Sequence, residues 1–425
     1  MSEENNMFRM IAKTLAGLEE VLAEEIKVLG GSGIRTVQRG VEFYGDKKLM
    51  YKANYQLRTA LRIIKPIAVF KAFDETQLYE EVKKITWEDY LDINSTFSID
   101  GITSHSNINH SKYLALKTKD ALVDRFRELT GKRPNVKKFD PDMAINVRVF
   151  KNQCTVSVDS SGEPLFKRGY RKATGPAPLN EVLAAGMILL SGWDRKKPFI
   201  DPMCGSGTIP IEAALIAHRI PPGKFREHYT FQRWKDYDEN LWNDVKQHAD
   251  EKIRDDKVRI TGSDWSGRVL QSARENVEAA GLQDKVGIHV SFFADTEPPA
   301  GEGVLIMNPP YGERIKTEDI TNLYKEIGDV LKQKYTGYDA WIISSHRDAM
   351  KHVGLRPSVR LTLFNGPLEC KFAKFEMYEG KKSEDRPDKK RFERNDKKFT
   401  QGGRRNSRDR DQKDFRRKRD PGKRK

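Results

Sequence analysis

Gly303-Val304-Leu305-Ile306-Met307-Asn308-Pro309-Pro310-Tyr311-Gly312 is an apolar run that ends in an amide, two prolines and an aromatic ring. The run reads as a strand, and the residues after it as the turn at its C-terminal edge. The carboxamide oxygen of Asn308 and the carbonyl of Pro309, which has no competing N–H, can both accept hydrogen bonds from an exocyclic amino group. Tyr311 can stack on the ring that carries that group. Taken alone, the stretch also fits a plain turn closing a buried strand.

Upstream, Pro198-Phe199-Ile200 leads into Asp201-Pro202-Met203-Cys204-Gly205-Ser206-Gly207-Thr208, a strand followed by a Gly-rich turn as in nucleotide-binding folds. Spacing narrows the options. A dinucleotide fingerprint needs a third small residue where Pro210 stands, and no Gly-Lys-Ser/Thr follows to make a phosphate loop. The acid expected on the ribose is Asp264, at the end of Val258-Arg259-Ile260-Thr261-Gly262-Ser263 and 59 residues beyond Gly205. A dinucleotide fold would place it about 20 residues on. The segment between, near 218–255, therefore reads as an insertion with extra helix.

As an ordered set these residues resemble the class I S-adenosylmethionine-dependent methyltransferases that modify exocyclic amines. The resemblance implies that Asp201, Pro202, Cys204, Gly205, Gly207 and Thr208 form the turn around the methionine and ribose end of the donor. It further implies that Asp264 holds the ribose hydroxyls and that Asp295, or a neighbour after Ile288-His289-Val290-Ser291-Phe292-Phe293, meets the adenine edge. Lys167-Arg168-Gly169-Tyr170-Arg171, then Ala177-Pro178-Leu179-Asn180-Glu181, looks like the junction between a THUMP RNA-binding domain and its methyltransferase; Leu179 and Asn180 become donor contacts by that likeness. The whole order, over roughly residues 5–378, is similar to the RlmL-type enzymes, which methylate a guanine N2 in 23S ribosomal RNA. The implied architecture is a ferredoxin-like and THUMP region in residues 1–170, a Rossmann-like α/β domain in 171–380 and a basic tail in 381–425. Asn308, Pro309, Pro310 and Tyr311 are the implied catalytic set, with Asn308 also near the donor.

Composition agrees. Cys154, Cys204 and Cys370 are far apart and the eight histidines lack ligand spacing, so neither a metal site nor a disulfide framework is expected. No secretory leader is read at the N-terminus, and the apolar stretch 182–193 is too short to cross a bilayer, so a cytoplasmic location without membrane contact is expected. The net charge of +15 is uneven: residues 381–425 hold 21 Lys and Arg against 9 Asp and Glu, or +12, leaving +3 for the rest. That tail is nearly free of aliphatic residues and is expected to be disordered, with Arg404 and Arg405 among its RNA contacts. Lys132 and Arg133, in a basic loop with Lys137 and Lys138, and Arg168, Tyr170 and Arg171 at the junction, read as further RNA contacts.

Periodicity places a helix through Leu15–Leu29 capped by Thr14 and stopped by Gly30-Gly31, with β runs at 8–12 and 41–44. A second set follows: a strand at 96–99, a helix at 112–129 and strands at 144–150 and 154–158 joined by Lys151-Asn152-Gln153. From Pro198 strands and helices alternate, which predicts a parallel sheet, and the runs 359–364 and 371–377 predict a closing hairpin.

The chemistry then needs in-line placement of an amine against an activated methyl group, with no dedicated general base. Asn308 and Pro309 would pin the amine hydrogens, and an unstacked base would rest on Tyr311. An adenine N6 amine suits the same acceptors, and a non-catalytic RNA-binding assembly factor is the reading from a different class.

Overall fold

The computed structural model describes residues 7–173, 179–310 and 317–379. Tyr311, Ala177, Pro178 and the tail with Arg404 and Arg405 lie outside the described residues.

The N-terminal part is built on one eight-stranded sheet. Its elements run β1 (Phe8–Lys13), α1 (Glu19–Leu29), β2 (Ser32–Val37), β3 (Gly40–Gly45), α2 (Lys47–Gln56), β4 (Arg62–Lys71), α3 (Glu75–Lys84), β5 (Thr96–Ser104), α4 (Ser111–Thr130), β6 (Asn135–Val136), β7 (Met143–Phe150) and β8 (Gln153–Asp159). The sheet order is β2-β3-β1-β4-β8-β7-β5-β6. The β7–β8 hairpin turns through Lys151 and Asn152, both at positive φ, as two-residue hairpin turns require.

The second part continues α5 (Glu181–Leu190), β9 (Phe199–Asp201), α6 (Thr208–Ala217), α7 (Glu239–Asp250), β10 (Ile260–Asp264), α8 (Gly267–Ala279), β11 (Val286–Val290), β12 (Gly303–Met307), α9 (Thr317–Lys334), β13 (Tyr338–Ser344), α10 (Arg347–Lys351), β14 (Val359–Asn365) and β15 (Leu368–Glu376). Its sheet order is β11-β10-β9-β12-β13-β15-β14, parallel from β11 to β13 and antiparallel in the last two pairs. The chain winds outward from β9 in one direction and from β12 in the other. Their adjacent carboxyl ends are thus the point where strand order reverses, the crevice in which open α/β sheets bind ligands. All five residues of β12 are buried, as a strand covered by helices on both faces demands.

Four expectations change. Helix α1 begins at Glu19, not at a Thr14 cap; the Thr14 hydroxyl instead donates to the Thr59 carbonyl (2.6 Å). The insertion holds a helix, α7, as expected, and its aromatic side chains pack away from the seven-stranded sheet: Tyr229, Phe231, Trp234 and Trp242 lie in the N-terminal core, with Phe231 stacked on Tyr51 at 4.4 Å. Arg168 and Tyr170 do not face RNA. They are 2% and 1% exposed, and both bond to the buried Glu212 of α6. Arg171 is turned inward too, toward the Gly-rich turn described below.

Arg168 is the centre of the seam between the two sheets. Its guanidinium donates to Glu212, to the Leu165 carbonyl (2.9 Å) and to the Arg58 carbonyl (2.6 Å), while Arg58 donates to the Ile220 carbonyl (2.9 Å). On the N-terminal side Glu25 accepts the backbone N–H groups of Arg58 (2.9 Å) and Thr59 (3.0 Å). Removing one member of such a buried pair strands the other charge, at a cost of about 3–5 kcal/mol.

Candidate active site

Strand β9 ends in Asp201, whose Oδ1 accepts the Met203 N–H (3.2 Å) and so shapes the turn that follows. Cys204 N–H reaches the Ser263 carbonyl of β10 (2.8 Å), and Gly207 N–H returns to the Cys204 carbonyl (2.9 Å), closing the loop onto the start of α6. Gly205 sits at φ +54°, where a Cβ would meet no atom within 4 Å, so the loop presents bare backbone to open space. The third close approach of the usual dinucleotide fingerprint is met from the other side: Gly262 of β10 lets Pro210 and Cys204 in, and a Cβ there would lie 2.9 Å from the Pro210 ring.

Asp264, at the end of β10, accepts the Gly205 N–H with Oδ2 (3.2 Å) and the Ser266 N–H with Oδ1 (3.0 Å). It thereby joins the Gly-rich turn to the cap of α8, and each oxygen keeps a lone pair for a hydroxyl donor. Asp201 is fully enclosed, and its Oδ2 has no hydrogen-bond partner among the described residues. Burial, reinforced by the nearby Asp264 charge, holds the Asp201 carboxyl well above the ordinary aspartate value. A buried carboxylate oxygen with no donor, beside a bare-backbone loop, suits a cationic ligand group with N–H donors. The donor set thus fits the aminoacyl and ribose end of S-adenosylmethionine.

Arg171 braces this cradle. Its Nε donates to Glu181 (2.7 Å), Nη1 to Ser206 Oγ (3.2 Å), and Nη2 to Thr208 Oγ1 (2.9 Å) and the Leu179 carbonyl (3.1 Å). Thr208 and Leu179 are buried, so both serve the shape of the turn. Asn180 caps α5 with its Oδ1, which accepts from Val182 (2.9 Å) and Leu183 (3.3 Å). Asn276 of α8, which sequence reasoning passed over, is wholly buried and bonds Lys172 N, Ala173 N and O and Ser206 O, locking the segment at Lys172 and Ala173 onto the Gly-rich loop. Its only sequence signal was one amide on the core face of a helix.

Cys204 packs its side chain against Leu270 and Ala273. Burial pushes its thiol well up, the opposite of what a nucleophilic cysteine needs.

Asn308 follows β12 directly, beside the Gly-rich turn, because β12 pairs with β9 (Leu305 with Ile200). Its Oδ1 is buried and has no hydrogen-bond partner among the described residues. Pro309 is buried and Pro310 exposed. At the far side, Asp295 is exposed in a short turn beyond β11. Between it and Asp264 stand two rings that the sequence reading did not single out. Trp265 (68% exposed) and Phe292 (61% exposed) lie nearly parallel, 13° between planes, with centroids 6.4 Å apart. Lys132 and Arg133 are exposed on the loop after α4. Among the described residues no cluster of three or more His, Cys, Asp or Glu is placed to hold a metal, and no helix is long and apolar enough to cross a membrane.

Comparison with known proteins converges on this geometry. Residues 9–64 match the RlmL ferredoxin-like domain, 72–159 the THUMP domain and 168–374 the RMKL-like methyltransferase domain. The chain is 40% identical over 369 residues to slr0064 of Synechocystis, provisionally named an RNA methyltransferase, covering 86% of this chain and 96% of that protein. It is 38% identical over 371 residues to the ribosomal RNA large subunit methyltransferase K/L of Psychromonas ingrahamii; that match takes in 86% of this chain but only 49% of the longer protein. The crystal structure of SMU.472, provisionally described as a methyltransferase and complexed with SAH, superposes with a TM-score of 0.81 at 32% identity, covering 89% of this chain and all of that one. With this fold, this donor cradle and these relatives, the chain belongs to the THUMP-containing, RMKL-like family of S-adenosylmethionine-dependent RNA methyltransferases.

Proposed function

We propose that the protein methylates the exocyclic N2 amine of a guanine in 23S ribosomal RNA. The observation that carries the amine chemistry is the buried Oδ1 of Asn308 at the carboxyl end of β12, which has no hydrogen-bond partner among the described residues. An acceptor in that state costs free energy unless a donor arrives, and an amino group supplies one. The donor molecule supplies an activated methyl group. Asn308 and the Pro309 carbonyl accept the amine hydrogens, turn the nitrogen lone pair out of the ring and stabilise the positive charge that develops on it. The proton leaves to water afterwards. Asp201, Gly205, Gly207 and Asp264 hold the donor, and the parallel rings of Trp265 and Phe292 border its adenine end in place of the exposed Asp295. Ribosomal RNA as the substrate is supported by the THUMP match and by the activity named for the K/L relative. On this reading residues 1–170 select the RNA, 171–380 carry the reaction, and 381–425 add a phosphate-binding arm.

The test is single-turnover methyl transfer by Asn308→Ala. The rate should fall about 100- to 1000-fold, as for loss of one preorganised polar group at a developing charge, while donor affinity changes little. Normal turnover with weakened donor binding would move Asn308 out of the amine pocket.

A further inference from the structure

We infer that the outer face of the β4-β8-β7-β5 sheet, centred on Phe150, is a stacking platform for an unpaired base of the RNA substrate. This rests on the reading of the chain as an RNA methyltransferase and adds where the N-terminal part grips the strand.

Side chains alternate across a sheet, so the register decides which residues share that face. Ile102 lies against Arg148 and Ser104 against Phe150; Arg148 pairs with Thr155 and Phe150 with Gln153; Thr155 pairs with Val69 and Gln153 with Lys71. The alternate residues Val147, Val149, Cys154 and Val156 are buried in the core on the opposite side. Three large apolar side chains of the outer face stay in water: Ile102 is 51% exposed, Val69 47% and Phe150 38%.

Phe150 is surrounded as a base-stacking ring would be. The Arg148 guanidinium carbon and the Lys151 ammonium each lie 5.4 Å from its centroid, and the exposed His105 meets it edge-on at 5.9 Å and 87°. Lys71 is exposed on the neighbouring edge, and Asp100 is the acid on the same side of β5. Two cations against an exposed ring and a third, Lys71, two strands across the same face, beside one carboxylate, favour a polyanion that also offers flat apolar faces. Single-stranded RNA is that ligand: its bases stack on aromatic rings and its phosphates take the flanking lysine and arginine. A duplex hides its base faces and lacks the fit.

The platform is distinct from the Lys132–Lys138 loop. Asn135 pairs with Thr96 at the start of β5, whereas Phe150 lies by Ser104 at its end. The nine residues of β5, from Thr96 to Ser104, hold them roughly 26 Å apart.

The test uses the full chain with a short labelled single-stranded RNA and with the same strand in a duplex, titrated at several salt concentrations. Phe150→Ala should weaken single-strand binding about 5- to 100-fold, leave duplex binding almost unchanged and leave the salt slope unchanged, while Phe150→Trp restores affinity. Arg148→Gln should instead flatten the slope. Unaltered single-strand affinity in Phe150→Ala overturns the platform, as does a loss that appears only in Phe139→Ala, the exposed ring beside Lys138 at the other end of the sheet. Because binding is read without catalysis, a chain that binds as expected but leaves guanine N2 unmethylated defeats the proposed function and not this inference.

Discussion

Two carboxylates, 11 positions apart and both enclosed by the same lobe, are treated in opposite ways. Glu212 on α6 is completely buried and saturated: Arg168 and the Tyr170 hydroxyl occupy it, and its charge serves the seam between the sheets. Asp201 at the end of β9 is as deeply buried, yet one oxygen has no partner among the described residues, and the nearest charge acting on it is another acid, Asp264. A structural charge is paired in the folded chain. A charge kept for a ligand is held unpaired at the cost of stability, and the unpartnered Asn308 oxygen shows the same economy on the substrate side.

The comparison breaks most visibly at the seam. Arg168→Ala strands Glu212 and should destabilise the protein by about 3–5 kcal/mol in chemical denaturation, without any specific effect on donor affinity in the folded fraction. The paired replacement Arg168→Met with Glu212→Leu should recover most of that loss, since apolar side chains of similar volume often replace a buried ion pair without penalty. If Arg168→Ala unfolds at the wild-type denaturant midpoint, the seam does not hold the two sheets together.

Asp201→Asn inverts the pattern. It removes a group whose ionised form burial and the neighbouring Asp264 disfavour, so the unliganded protein should gain stability as pH rises toward the range in which Asp201 ionises, while the thermal shift produced by S-adenosylmethionine shrinks. The pH dependence has a definite sign. Asp201 titrates higher in the folded chain than the unfolded value near 3.8, so the native state holds the extra proton and stability falls as pH rises from about 3.8 through the folded value. The Asn variant should lack that declining component. An identical pH profile in both proteins would mean that Asp201 carries no unpaired charge.

Asp264→Ala should weaken donor binding more mildly, by about 1–2 kcal/mol in isothermal titration. Its carboxylate already has backbone partners, and the loss combines one or two ribose hydrogen bonds with a loosened Gly205 turn. A variant that binds donor as the parent does would assign the ribose to another group.

The strands and turns at the carboxyl edge of the second sheet were legible because their signals are local. A strand, a turn and an acid at the next strand end lie in short segments whose residue types are dictated by the ligand and the backbone. The seam was illegible because its logic is long-range. Lys167-Arg168-Gly169-Tyr170-Arg171 looks like a solvent-facing basic run, and only the fold brings Glu212 to Arg168 and Glu181 to Arg171. The aromatic side chains of the 218–255 insertion likewise gave no hint that they complete the other sheet's core. Strand β4 was missed for a local reason: Pro66 interrupts its pattern, and the chain accommodates it where the register with β8 shifts between Pro66 and Ala68. Helix α2 announced itself only by Asp46, whose carboxylate caps it through Leu49 N–H (2.7 Å).

The most direct test of the central claim is the identity of the product. Ribosomal RNA from cells lacking this protein, incubated with the purified chain and methyl-deuterated S-adenosylmethionine, should yield labelled N2-methylguanosine on nucleoside mass spectrometry, with the label in the large-subunit RNA and absent for Asn308→Ala. Label confined to N6-methyladenosine, or to a ring-methylated pyrimidine, would contradict it.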